Sequence, residues 1–237
     1  MNIAAAKGEL RRRVGGNRRR LARAAAESTA GRIHAHLAAE AAFVRAARVG
    51  LYAALADEVA TRPLFEALRR EGRQCLLPRM LLGERLEFVP VDCWETLIVG
   101  RWGVPEPPPG AAAEALAVDD VVLVPALAFD ESGRRLGRGK GYYDRTFPVG
   151  GLAQPLLFGV ASEAQIVEFV PCDSHDRAVD AIVTERAFRW VGRASPGPGP
   201  NGKRPEGARS ETESSGAGVG RASPGPGPQG WTRGVNR

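Results

Sequence analysis

The chain has 237 residues, 43% hydrophobic and 25% charged, with a formal net charge of +6. That size and apolar content suit one globular domain with a full core and an appendage, and no window approaches the eighteen apolar residues a membrane-crossing helix needs. Cys75, Cys93 and Cys172 are odd in number and lack a C-x-x-C spacing, and His34, His36 and His175 bring no metal-ligand spacing, which argues against a disulfide framework and a zinc site.

Residues 4–49 are Ala-rich and free of proline, with Leu10, Val14, Leu21, Ala25, Ile33 and Leu37 falling on a helical period. Gly15-Gly16-Asn17 is the expected break in this helical segment, and Gly31 a second weak point. The N-terminus is Arg-rich but carries Glu9 and has no apolar core for a signal peptide, so the cytoplasm is the expected location. The arginine runs 11–13 and 18–20 read as a solvated helix face or a nucleic-acid patch. Arginine is abundant along the whole chain, so its charge is no specific footprint, and a nucleic-acid partner is not expected.

Val49 to Leu55 is an apolar run and the first expected core strand. Thr61 is the expected cap of a helix over Leu64–Arg70, with Pro63 in its first turn and Gly72 at its stop. Strands follow at Gln74–Pro78 and Leu86–Pro90, then a short helix or turn from Trp94 to Val99. Trp102-Gly103-Val104-Pro105-Glu106-Pro107 cannot be helical with its proline spacing. Trp102 there either packs on the core or offers a platform for a flat heterocycle.

Val121–Val124 is the next buried strand, and beyond it lies the stretch richest in chemistry. A turn at 130–133 leads into Arg134-Arg135-Leu136-Gly137-Arg138-Gly139-Lys140-Gly141, followed by Tyr142, Tyr143, Asp144 and Arg145. Alternating glycines let bare N–H groups approach an anion, arginines grip phosphate through paired hydrogen bonds, and a carboxylate suits Mg²⁺. The stretch is neither a G-x-x-x-x-G-K-[ST] loop nor a G-x-G-x-x-G fingerprint. A phosphate-binding loop with a metal ligand at its exit is one reading; a basic, Gly-rich surface hairpin is the other.

Pro155–Val160 is a further strand, the segment from Glu163 a short helix or turn, and Val179–Thr184, which contains Asp180, a last strand before Phe188-Arg189-Trp190 closes the fold. The order of elements predicts a three-layer α/β fold, a parallel or mixed central sheet with helices on both faces. From residue 192 the composition turns to Gly, Pro, Ser and Arg, and G-R-A-S-P-G-P-G-P occurs at 192–200 and again at 220–228. A tail so poor in apolar residues is expected to be disordered, which leaves a catalytic-size domain over 1–191.

Taken whole, L-V-P-A-L-A-F-D-E-S-G-R-R-L-G-R-G-K-G-Y-Y-D-R at 123–145 resembles the 5-formyltetrahydrofolate cyclo-ligase family. Lys7 with Leu10-Arg11, Tyr52 with Asp57-Glu58-Val59 and Thr61, Leu77-Pro78-Arg79, the Trp102 loop, and His175-Asp176 through Asp180 and Thr184 add to the likeness in the right order. The resemblance implies cyclisation of 5-formyltetrahydrofolate to 5,10-methenyltetrahydrofolate, with ATP as co-substrate and Mg²⁺ as cofactor. It implies ATP contacts from Lys7, Arg11 and 134–142, folate contacts from Ala53, Glu58, Trp102, Tyr142 and Tyr143, charge neutralisation by Arg138, Lys140 and Arg145, and a metal pair of Asp144 and Asp180. Small molecules are then the expected partners of a monomer without membrane attachment. A nucleotide- or folate-binding protein without turnover is the alternative.

Overall fold

The computed structural model describes residues 2–192, apart from the side chains of 16–27. The expectation for 192–237 therefore falls, beyond Gly192, outside the described residues. In chain order the elements are α1 (Ile3–Ala39), α2 (Ala41–Arg45), β1 (Arg48–Gly50), α3 (Arg62–Arg70), β2 (Gln74–Met80), β3 (Leu86–Pro90), β4 (Ile98–Val99) and β5 (Pro105–Glu106). Then come β6 (Val121–Pro125), β7 (Ala128–Phe129), β8 (Arg135–Leu136), α4 (Tyr142–Thr146), β9 (Leu156–Val160), β10 (Ala181–Val183) and β11 (Phe188–Trp190).

Seven strands form one mixed sheet in the order β11-β10-β9-β6-β1-β2-β3. β10, β9, β6, β1 and β2 run parallel, while β3 and β11 close the two edges antiparallel. The strands alternate their side chains between two apolar layers, as a pleated chain must. Val49, Cys75, Leu77, Val121, Leu123, Phe158, Ala181 and Val183 face one layer with Ile33, Leu37 and Phe43 and with Leu64, Phe65 and Leu68 of α3. Leu76, Val122, Val124, Leu157 and Ile182 face the other, with Phe129 and Phe147. Helices thus lie on both faces, unequally: α1, α2 and α3 cover one, and α4 with the segment leading to it covers the other. Among the described residues no helix is long and apolar enough to cross a membrane.

Three local expectations are corrected. Gly15-Gly16-Asn17 does not break the helix, because α1 runs unbroken over 37 residues. A glycine in a helix interior costs only about 1 kcal/mol, and α1 is held on both sides of the pair. Leu10 is buried with Ala128, Leu136 and Val170 near one end, and Ile33 and Leu37 are in the main core near the other. The first strand is shorter than Val49–Leu55, since β1 ends at Gly50. Beyond it Tyr52 and Thr61 tie a loop together, the tyrosine hydroxyl donating to the Val59 carbonyl at 2.9 Å and the threonine hydroxyl to the Tyr52 carbonyl. Thr61 does precede α3, but its hydroxyl is spent on that tie and makes no cap.

Candidate active site

β1 is flanked by β2 on one side and β6 on the other, and the chain crosses from the β2–β3 side to β6. In such sheets the crevice beyond the carboxyl ends of the strands, where the order reverses, is the place for a ligand. A cavity of about 530 Å³ opens there. Tyr52, Ala53, Leu55 and Glu58 line it from the loop after β1, Pro125 and Ala126 from the end of β6, and Met80 and Leu86 from β2 and β3. Residues 135–144 form its largest single wall, and Lys7 and Arg11 enter from α1.

The glycines of that wall have specific work. Gly139 has φ 100° and Gly141 φ 65°, both in the left-handed region that disfavours side chains. A side chain on Gly141 would also begin 3.1 Å from Arg145 Nη1, closer than ordinary contact. Arg11 Nε donates to the Gly137 carbonyl at 3.0 Å, so α1 and the loop are stitched together at the cavity.

Each carboxylate that lines the cavity is matched by a cation that also lines it. Asp176 Oδ2 accepts from Lys7 Nζ at 2.5 Å. Asp144 Oδ1 accepts from Arg135 Nη2 at 2.6 Å and from the Arg177 backbone N–H at 3.0 Å. Glu58 Oε1 accepts from Arg138 Nη2 at 3.3 Å, and its Oε2 from the Leu55 N–H at 3.1 Å. Desolvation lowers the Arg135 pKa even with Asp144 opposing it, and its Nε is buried without a hydrogen-bond partner among the described residues. Tyr143 packs beneath Arg135, whose guanidinium carbon lies 5.6 Å from the ring centre. Burial, with Glu58 nearby, pushes that phenol above its ordinary pKa, so Tyr143 stays neutral at physiological pH. Lys140 Nζ lies 5.0 Å from the centre of the Trp102 ring. Trp102 is 71% exposed rather than part of the core, and takes φ 60°. A bulky residue held in that conformation marks a constrained turn at the cavity mouth.

Of the residues expected from the sequence, Lys7, Arg11, Ala53, Glu58, Trp102, Arg135, Leu136, Gly137, Arg138, Gly139, Lys140, Gly141, Tyr142, Tyr143 and Asp144 all line this one cavity. Three do not, and their partners explain why. Arg134 lies over Phe169, 5.1 Å from the ring centre, and near Asp130. Arg145 turns to Glu84 at 2.5 Å and to the Lys140 carbonyl. Asp180 accepts from the Leu157 N–H at 2.8 Å and from Arg177 at 3.3 Å, which holds it at the start of β9. The carboxylate at the cavity is Asp176 instead. The sequence carried it in the same His-Asp segment, four residues before Asp180, with no signal to rank the two. Asp144 and Asp176 both line the cavity, and Mg²⁺ takes one or two carboxylates and completes its shell with phosphate oxygens and water.

A family model described as the 5-formyltetrahydrofolate cyclo-ligase family matches residues 3–185. The 5-formyltetrahydrofolate cyclo-ligase of Mus musculus is 30% identical over 148 residues, covering 58% of this chain and 73% of its own. That of Escherichia coli K12 is 32% identical over 151 residues, covering 62% and 83%. The NMR structure of 5,10-methenyltetrahydrofolate synthetase from Aquifex aeolicus superposes with a TM-score of 0.67 at 32% identity, covering 79% of this chain and 94% of that one.

Proposed function

The chain belongs to the 5-formyltetrahydrofolate cyclo-ligase family, and from that premise we propose that it converts 5-formyltetrahydrofolate and ATP to 5,10-methenyltetrahydrofolate, ADP and phosphate. The formyl oxygen attacks the γ-phosphorus and the bond to the β-phosphate oxygen breaks, which turns a poor leaving group into a phosphate. N10 then attacks the formyl carbon and gives up its proton, and the carbon–oxygen bond breaks to release phosphate. Such a reaction needs alignment and charge neutralisation more than a covalent nucleophile.

The observation that carries this reading is one cavity holding two kinds of wall, joined by Arg138. The loop 137–141, with Lys7 and Arg11, is basic and rich in glycine along the cavity, and suits a triphosphate. Ala53, Glu58, Trp102, Tyr142 and Tyr143 offer a carboxylate and aromatic faces, and suit a pterin. Arg138 and Lys140 stand where the two meet and neutralise the charge that develops on the transferred group. Arg135 holds Asp144 in place rather than gripping phosphate. Asp144 and Asp176 would hold Mg²⁺, which supplies charge neutralisation to the phosphates when bound. We assign the activity to residues 1–191 and read the protein as a cytoplasmic monomer.

The test is to mix protein with 5-formyltetrahydrofolate, Mg²⁺ and ATP and follow the ultraviolet absorbance of methenyltetrahydrofolate. ATP-dependent product supports the reading. Binding of ATP or folate without product makes the chain a binding protein of the same fold, and binding of neither removes the phosphate-loop assignment.

A further inference from the structure

Asp57 is outside both groups of residues assigned above, and we infer that it is a positioning residue that holds the Arg138 guanidinium over the phosphate wall. The inference rests on the functional reading for the role of Arg138, and on geometry for the rest. Arg138 Nη2 lies 2.6 Å from Asp57 Oδ1 and 3.3 Å from Glu58 Oε1, so the shorter contact goes to the residue that does not line the cavity. Asp57 therefore holds Arg138 from outside the cavity wall. Both carboxylates meet the same nitrogen, and among the described residues Arg138 Nε and Nη1 make no hydrogen bond. Those donors remain for an anion in the cavity while Nη2 stays anchored.

The anchor matters because of where Arg138 sits. Its side chain is 47% exposed and is flanked by Gly137 and Gly139, so beyond Asp57 only the longer contact to Glu58 restrains it. A long side chain that must be ordered at the moment of binding gives up affinity to entropy, and one ordered beforehand does not. Asp57 also competes with Glu58 for Nη2. Without Asp57, Arg138 closes on Glu58 and masks the carboxylate that the pterin is assigned.

The test is a double-mutant cycle between Asp57→Asn and Arg138→Gln, read in kcat and, independently, in ATP affinity by calorimetry. Asp57→Asn is expected to lower kcat roughly tenfold and ATP affinity about fivefold, each factor shrinking to less than about twofold in the Arg138→Gln background. Asp57→Glu should recover most of both. Equal factors in the two backgrounds, or a loss that follows thermal stability alone, overturn the inference. If the wild-type protein binds ATP but forms no product, the functional reading falls while the affinity cycle still decides Asp57. Wild-type protein that binds no ATP overturns both.

Discussion

Lys7 Nζ lies 2.5 Å from Asp176 Oδ2 and 3.4 Å from Asp173 Oδ2, fastening the second turn of α1 to a loop 169 residues further along the chain. Burial pulls the Lys7 pKa down, but hydrogen bonds to and charges on Asp176 and Asp173 outweigh it, and the ammonium ends above its ordinary 10.5.

A raised lysine contributes stability that is present below the unfolded pKa and lost as pH rises through the folded one. The melting temperature of the wild type should therefore exceed that of Lys7→Met by a constant margin from pH 7 to about 9.5, a margin worth about 1 kcal/mol for a partly buried pair near the surface. The margin should fall away above about pH 10.5. Melting curves of both proteins across this range check it, and a margin unchanged at pH 11.5 would contradict it.

Asp176 and Asp180 should separate cleanly. In the presence of ATP, Mn²⁺ binding followed by electron paramagnetic resonance should weaken at least about tenfold in Asp144→Asn and in Asp176→Asn, consistent with loss of a charged ligand. Asp180→Ala should leave Mn²⁺ affinity nearly unchanged but lower stability by about 1–3 kcal/mol, because it strands the Leu157 N–H in the core. Weakened metal binding in Asp180→Ala would restore the pair expected from the sequence.

Gly159→Ala should destabilise more than Gly50→Ala. A Cβ at 159 would stand 2.5 Å from Phe129 Cε1, in the middle of β9 against a fully buried ring. At 50 the nearest atom is Val122 Cγ2 at 3.0 Å. Overpacking of this kind costs about 1–3 kcal/mol, and urea unfolding should put Gly159→Ala at or above the upper end of that range.

Trp102→Gly should divide stability from binding. Glycine takes φ 60° without strain, so unfolding should become neutral or harder by up to about 1 kcal/mol. The lost ring should raise KM for 5-formyltetrahydrofolate about tenfold, with the KM for ATP moving much less. Equal rises in both would place the ring on the nucleotide instead.

Most of the sheet was legible because its strands are apolar runs that fill both faces. Gln74–Pro78, Leu86–Pro90, Val121–Val124 and Pro155–Val160 each differ from the observed strands by two residues or fewer. The glycine-rich stretch stood out in the sequence, although a basic surface hairpin was an equally open reading until residues 135–144 were seen to wall the cavity. Arg145 and Arg134 were not, since composition shows a charge and not its direction, and Glu84 and Phe169 lie far away in sequence. Arg135, expected among the ATP contacts, does line the cavity, but its Nη2 bonds to Asp144, a pairing the sequence did not announce. That Asp176 lines the cavity and Asp180 does not goes with a single backbone N–H at the start of β9, which no spacing announces.

α1 is seated by Ile33 and Leu37 at one end and delivers Lys7 and Arg11 to the cavity at the other. The helix therefore acts as a ruler with an angular scale as well as a linear one. Each residue added or removed between the two ends turns the delivered side chains by about 100° and shifts them by about 1.5 Å. The number of residues in that span is thus under tighter constraint than their identity, and a single-residue insertion there should disable the site as thoroughly as deleting Lys7 itself.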